Sequence, residues 1–242
     1  MRGRIDAGEK QWDNAFIFKV VCTLATSGFL QGYDTMSAAL ISLVLADKDT
    51  YHGPYIGFFI SLGAGGAAVG ALFSGPIADK YGRKRIIMLS NVLYLMGGLC
   101  MTIKLKPLEL DSNIMQAFLL TGRYLTGVSI GVTSMNVPLY ISEICPLELR
   151  GRVIAIYTCM IVTGQLVCNM LAMLLLLDVN WRYLVLFSMI FVVFQFVAMF
   201  SMPESPRWLA MNGRQEEADK VIKRVYKSAF YEIYTTSLRK EI

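Results

Sequence analysis

The sequence predicts an all-α integral membrane protein with six transmembrane helices, and three observations carry that prediction. Of the 242 residues, 55% are hydrophobic and only 17% are charged, and the mean hydropathy is +0.50. Soluble domains contain roughly 45–50% apolar and about 25% charged residues. The apolar residues also fall into long blocks separated by short charged segments, and a block of about 18 apolar residues or more is typical of a membrane span.

Six such blocks are long enough for a helix rising about 1.5 Å per residue to cross roughly 30 Å of hydrocarbon. The predicted spans cover residues 16–46, 54–78, 86–103, 114–142, 152–177 and 181–202. The predicted organisation is therefore a short tail over 1–15, a six-span bundle over 16–202 and a polar segment over 203–242.

Lysine and arginine are distributed unequally between the two sides of the predicted bundle. Seventeen of the 23 lie on the side of the N-terminus, four lie on the opposite side and two lie inside spans. Because cytoplasmic segments carry the excess of these residues, both termini are predicted to be cytoplasmic. The net charge of +5 is then mainly a marker of topology. No basic segment is interleaved with aromatic residues, so no nucleic-acid partner is predicted.

The sequence lacks the patterns of a soluble enzyme, a cofactor site or a metal site. Its one histidine, His52, has no cluster of cysteines or carboxylates beside it, and the five cysteines include no C-x-x-C pair. A Ser-His-Asp or Cys-His arrangement cannot be built on that single loop histidine. We therefore expect no enzymatic activity, no cofactor and no metal.

Two charged residues lie well inside predicted spans, Asp34 in the first and Arg123 in the fourth. A charge at the bilayer centre costs on the order of 2.5–3.5 kcal/mol on insertion scales, so such residues normally face the bundle interior and pair. The sequence therefore predicts that Asp34 and Arg123 contact each other. Charge placement alone is compatible with a proton-exchanging carboxylate and with a static ion pair.

Two segments on the predicted cytoplasmic side carry similar polar residues. The first, 70–84 between spans 2 and 3, combines glycines with Asp79 and Arg83 and is predicted to be a loop with a tight turn. The second segment, between spans 4 and 5, contains an acid, a proline and two basic residues: Glu143, Pro146, Arg150 and Arg152. The recurrence of this composition one three-helix unit further along predicts 3+3 internal symmetry.

An amphipathic cytoplasmic helix is predicted after the sixth span, over residues 213–230. Its apolar residues recur at the three- and four-residue spacing that places them on one helical face. They are Ala218, Val221, Ile222, Val225, Tyr226 and Ala229.

Six motifs in this sequence together resemble the sugar porter family of the major facilitator superfamily. They lie in the family's order, between about residues 28 and 227, and on the appropriate sides of the spans. The resemblance implies the N-terminal six-helix half of such a transporter, folded as a 3+3 inverted repeat. The motifs are Gly32-Tyr33-Asp34, the G-x-x-x-D-K-x-G-R-K segment from Gly75 to Lys84, Gly122-Arg123, the stretch from Pro138 to Glu143 followed by Arg150-Gly151, Trp181-Arg182, and the stretch from Pro203 to Leu209.

The resemblance implies a role for each matching residue. Asp34 corresponds to the protonation site of proton-coupled members and Arg123 to its partner. Gln165 corresponds to the glutamine that hydrogen-bonds the sugar, and Gln31 lies at the pocket wall, where the family often has an aromatic residue. A cytoplasmic gate that latches the outward-facing state is implied for Gly70, Asp79, Gly82, Arg83, Lys84, Glu143, Arg150, Arg152, Glu204 and Arg207.

The implied function is proton-coupled hexose transport by alternating access. Its implied partners are a monosaccharide, a proton, the lipid bilayer and a second six-helix bundle. Complete members of the family have twelve spans, and their second-half signatures, Gln-Gln-x-Ser-Gly-x-Asn and Pro-Glu-Thr-Lys-Gly, do not occur in these 242 residues. Three alternatives follow: part of a longer transporter, a half-transporter that assembles with another copy or a partner, and a structural scaffold subunit of a larger membrane complex without transport activity.

Overall fold

The structure, a computed structural model, describes residues 12–46, 53–102, 112–175 and 181–225. Six long helices are followed by two shorter ones. They are α1 (Asn14–Ala46), α2 (Gly53–Tyr81), α3 (Arg83–Thr102), α4 (Ser112–Ile144), α5 (Leu147–Leu175), α6 (Arg182–Phe200), α7 (Pro206–Met211) and α8 (Gln215–Val225).

The six long helices coincide with the six predicted spans to within a few residues, but they are not equally apolar. Within the described residues, five stretches are long and apolar enough to cross a membrane: α1, α2, α3, α6 and Leu147–Met173 of α5. The remaining helix, α4, has 33 residues and is long enough, but no stretch of it is as apolar as those five. Six of its polar or charged side chains are buried inside the bundle: Arg123, Thr126, Ser129, Thr133, Asn136 and Glu143.

The structure corrects the prediction of two extended polar loops. Helix α2 continues to Tyr81 and α3 begins at Arg83, so Gly82 alone connects them. Gly82 adopts a φ of 99°, a left-handed conformation that reverses the chain within one residue and that glycine adopts without steric cost. In the second segment α4 runs to Ile144 and α5 begins at Leu147. Helices longer than the hydrocarbon core therefore carry most of the charged residues that the prediction placed in loops.

Glycines allow the long helices to approach each other closely. Gly63, Gly66 and Gly70 of α2 face α4, where Gly127 and Gly131 face α2. A Cβ atom on Gly66 would lie 2.6 Å from the carbonyl oxygen of Tyr124. Small residues at such contacts let backbones approach and pack in an apolar solvent.

Helices α1 and α5 form an equivalent close pair. Gly28 and Gly32 of α1 face the backbone of Tyr157 and Ile161, and Gly164 of α5 faces the backbone of Phe29. Exchanging the first three helices with the second three maps the α1–α5 pair onto the α4–α2 pair. This one correspondence is compatible with the predicted 3+3 repeat, and the repeat itself stays a prediction.

Two short helices pack against the end of the bundle where α3 begins. The α7 helix begins after Ser205, whose hydroxyl accepts the backbone N–H of Trp208 at 3.3 Å. The predicted amphipathic helix is α8, which packs Ala218 and Val221 against Trp208 and Leu209. The predicted apolar residues Tyr226 and Ala229 lie outside the described residues. The short helix α7 is absent from the sequence-based prediction.

Candidate functional site: a buried ion pair and a charged network at the helix ends

Asp34 of α1 and Arg123 of α4 form a buried ion pair, as predicted. Nη1 of Arg123 lies 2.6 Å from Oδ2 of Asp34, and the two side chains are 9% and 8% exposed, respectively. The guanidinium lies beside Gly63, where a Cβ atom would overlap it, and its Cζ lies 5.9 Å from the ring centroid of Phe59. The glycine on α2 therefore makes room for the arginine at the centre of the bundle.

Tyr94 of α3 and Ser188 of α6 extend this pair into a polar cluster. The Tyr94 hydroxyl lies 3.3 Å from Oδ1 of Asp34 and 3.1 Å from Oγ of Ser188. The Ser188 hydroxyl donates to the carbonyl oxygen of Val185 at 2.7 Å, so Ser188 can only accept from Tyr94. Tyr94 has one hydrogen and donates it to Asp34 or to Ser188, but not to both.

This arrangement provides hydrogen bonds for both protonation states of Asp34. An ionised Asp34 accepts from Arg123 and from Tyr94. A protonated Asp34 can donate through Oδ1 to Tyr94 while Tyr94 donates to Ser188. Tyr94 and Ser188 are absent from the sequence-based prediction, which rests on the insertion cost of charged residues inside spans. The available signal was a hydroxyl-bearing residue in an otherwise apolar stretch.

The two glutamines proposed to line the pocket lie on α1 and α5 and have different surroundings. The side-chain carbonyl of Gln31 accepts the hydroxyl of Tyr157 at 2.7 Å. Gln165 is half-buried and makes no hydrogen bond with any described residue. Its neighbour Gly164 packs on the α1 backbone near Phe29 and Tyr33, which places Gln165 near the level of Asp34. Its amide donors and acceptor are therefore not used within the described part of the chain.

At the end of the bundle, Arg83 is the centre of a charged network. Its Nη2 donates to Oε1 of Glu143 at 3.1 Å and lies 2.9 Å from Oδ1 of Asp79. Its Nε lies 3.0 Å from Oε2 of Glu143, and its Nη1 donates to the carbonyl oxygen of Ala78 at 3.1 Å. The side chains of Arg83 and Glu143 are 6% and 4% exposed, whereas that of Asp79 is 66% exposed. Arg83 therefore joins α2, α3 and α4 through a largely dehydrated contact.

Glu204 joins the beginning of α3 to the chain after α6. Its carboxylate accepts the backbone N–H groups of Lys84 and Ser205, each at 3.0 Å. The Lys84 ammonium donates to the carbonyl oxygens of Phe200 and Met202, at 3.0 and 2.6 Å. A carboxylate at a helix N-terminus and an ammonium at a helix C-terminus are both favoured by the helix dipole. Gly82 leaves room for the Glu204 carboxylate, because a Cβ atom at this position would overlap it.

The structure thus brings together part of the predicted gate and separates the rest. Gly70 lies within α2 against Val128, far along the helix from the network. Arg150 donates through Nε to the carbonyl oxygen of Cys145 at 3.1 Å. Arg152 and Arg207 are exposed and form no ion pair with a described residue. The residues that do meet, called the gate network below, are Asp79, Gly82, Arg83, Lys84, Glu143 and Glu204.

Replacing Gly82 by alanine is expected to destabilise the chain more than the same change at Gly213. Both glycines have positive φ, 99° and 74°, so alanine costs about 1–2 kcal/mol at either position. Only at Gly82 would the new Cβ also displace Glu204, because nothing lies within 4 Å of one at Gly213. We expect a further loss of about 1–2 kcal/mol in the free energy of unfolding in detergent. Equal losses at the two positions would contradict the Glu204 contact.

The fold and the site identify this chain as a multi-pass integral membrane protein with the major facilitator fold. A solved structure of the major facilitator superfamily proton:xylose symporter XylE, bound to 6-bromo-6-deoxy-D-glucose, superposes with a TM-score of 0.82 at 21% identity. The match covers 93% of this chain and 53% of that one. An inward-open structure of the Escherichia coli xylose transporter XylE gives a TM-score of 0.80. At this identity the likeness establishes the fold alone.

The family model for "Sugar (and other) transporter" matches residues 20–241, and the chain belongs to that family, whose members are transporters and not enzymes. It is 34% identical over 223 residues to Probable inositol transporter 2 of Arabidopsis thaliana, covering 89% of this chain and 36% of that protein. It is 33% identical over 213 residues to the human Proton myo-inositol cotransporter, covering 87% and 32%. The chain therefore spans about a third of the length of these relatives. The resemblance to the N-terminal half of a sugar porter is confirmed.

Proposed function

We propose that this chain is the N-terminal six-helix bundle of a transporter that moves a sugar or a cyclic polyol together with a proton. The observation that carries the proposal is the Asp34–Arg123 pair with Tyr94 beside it, because this cluster offers hydrogen bonds to both protonation states of a buried carboxylate. A purely structural subunit gains little from a charge pair that costs insertion energy.

The proton acts on the contact between α1 and α4. An ionised Asp34 holds the Arg123 guanidinium by charge and by a 2.6 Å hydrogen bond. Protonation removes the negative charge and with it most of the attraction. The guanidinium then turns to neutral acceptors such as Thr126 Oγ1, which already lies 3.4 Å from Nη1. Weakening this link changes the relative stability of two arrangements of the bundle, which is how proton binding couples to alternating access.

Gln165 and Gln31 are proposed to bind the substrate hydroxyls. A planar amide offers two donors and one acceptor oxygen, which match adjacent hydroxyls on a ring. Relatives of this chain are described as carriers of inositol and of glucose, and the structural neighbours as xylose transporters. These compounds share a ring bearing several hydroxyls, and this is the substrate class proposed. Within it, a hexose is the first candidate.

A second six-helix bundle is proposed to cover α2 and α5. Only 22% of the most apolar stretch of each of these helices is buried, compared with 61% in α1. Their uncovered faces supply the surface against which a second bundle would rock. The gate network holds the ends of α2, α3, α4 and α6 together on the predicted cytoplasmic side. The second bundle comes from the remainder of a longer chain, another copy or a partner subunit.

The first test is to extract the native particle in detergent, identify every polypeptide in it and reconstitute it in vesicles. Uptake of labelled glucose and labelled myo-inositol is then measured with and without an imposed proton gradient. We expect Asp34→Asn to abolish the stimulation of uptake by the gradient while substrate exchange persists.

The matched control is Asp13→Asn. Asp13 is exposed and accepts the Ala15 N–H at 2.9 Å, and asparagine caps a helix equally well. This variant is expected to behave as the parent protein does. Unchanged gradient dependence in Asp34→Asn would contradict the coupling role. A native particle of unrelated subunits that binds neither compound would overturn transport and favour the scaffold alternative.

A further inference from the structure

A cavity of about 800 Å³ opens beside the gate network, between the beginning of α3, the end of α6 and the pair α7–α8. It combines two kinds of surface. Met88 and Phe200 form an apolar wall that continues onto the lipid-facing side of α3 and α6, where Phe200 is 60% exposed. Arg85 and Lys220 contribute cationic side chains from α3 and α8.

The charges that line this cavity are not equally available. The Glu204 carboxylate accepts hydrogen bonds from two backbone N–H groups. Glu217 forms a bidentate ion pair with Arg214, with N–O distances of 2.7 and 2.6 Å. Arg85 and Lys220 are exposed and form no ion pair within the described part of the chain, and Glu216 is the one acidic side chain of the lining that forms neither an ion pair nor a hydrogen bond there. The cavity is therefore lined by two exposed basic side chains without an ion-pair partner among the described residues and by one carboxylate without a partner there.

We propose that this cavity binds the headgroup of an anionic phospholipid, with Arg85 and Lys220 contacting the phosphate and one acyl chain lying over Met88 and Phe200. The cavity lies where α3 begins and α6 ends, which is the level of lipid headgroups. Its predicted side is the cytoplasmic one, where anionic lipids attract basic residues. A soluble phosphate would satisfy the cations and leave the apolar wall uncovered. This inference is independent of the proposed transport function.

The test is the apparent Kd of phosphatidylglycerol and of phosphatidylcholine for the purified chain, measured by native mass spectrometry from detergent. A basic residue near an anionic surface changes affinity by about fivefold, so the double variant Arg85→Gln/Lys220→Gln is expected to weaken phosphatidylglycerol binding by roughly thirtyfold. Phosphatidylcholine binding is expected to change little. Arg85→Lys keeps the charge and is expected to retain most of the affinity.

The matched control is Lys80→Gln, which removes an exposed lysine at the end of α2 outside the cavity. It is expected to bind phosphatidylglycerol within twofold of the parent chain. Parent-like binding by the double variant would overturn the proposal, as would equal losses in the control. Displacement of the lipid by soluble glycerol phosphate at comparable concentration would overturn the lipid assignment in favour of a free anion.

Discussion

Arg123→Met is expected to lower the free energy of unfolding by about 3–5 kcal/mol. Removing the arginine leaves the Asp34 carboxylate buried without its cation, at a position where the side chain is 8% exposed. Tyr94 can supply only one hydrogen bond to the remaining charge. Unfolding of the purified chain in detergent, followed by far-UV circular dichroism against denaturant, measures the loss.

The double variant Asp34→Asn/Arg123→Met is the control for this prediction. It removes both charges, and a buried ion pair replaced as a unit costs far less than one broken by losing a single partner. We expect the double variant to recover about half of the lost stability or more. If it were as unstable as Arg123→Met alone, the loss would come from side-chain packing around Phe59 and Gly63 and not from an uncompensated charge.

Gly70→Ala is expected to destabilise the chain by about 2 kcal/mol or more, although it adds only one methyl group. A Cβ atom on Gly70 would overlap the carbonyl oxygen of Val128 and lie 3.0 Å from its carbonyl carbon. These are backbone atoms of α4 and cannot rotate away, so α2 and α4 would have to separate along their contact. The same unfolding measurement tests this expectation.

Gly65→Ala is the matched control on the same helix. Nothing lies within 4 Å of a Cβ atom at Gly65. Alanine favours a helix over glycine by up to about 1 kcal/mol, so this variant is expected to be neutral or more stable. Similar effects at Gly65 and Gly70 would show that the α2–α4 approach does not depend on the buried glycine.

Much of the fold could be predicted because the bilayer imposes a constraint that can be read directly from the amino-acid sequence. Every span needs a long apolar stretch, so the six apolar blocks place the long helices to within a few residues. The insertion cost of a charge also predicted that Asp34 and Arg123 would meet, without any knowledge of how the helices pack. The apolar spacing after the sixth span likewise predicted the face that α8 buries.

The tertiary structure alone decided which neutral side chains join the ion pair and which charged residues form the gate network. Tyr94 and Ser188 contact Asp34 or each other because α3 and α6 present them at the same depth, whereas Arg152 and Arg207 are exposed and form no ion pair with a described residue. The hydropathy of a span can be added up from the sequence alone. The depth of a side chain in the bundle and the helix that it faces depend on how each helix is rotated against its neighbours. That rotation is fixed by close backbone contacts between residues far apart in sequence, such as Gly70 with Val128 and Gly32 with Ile161.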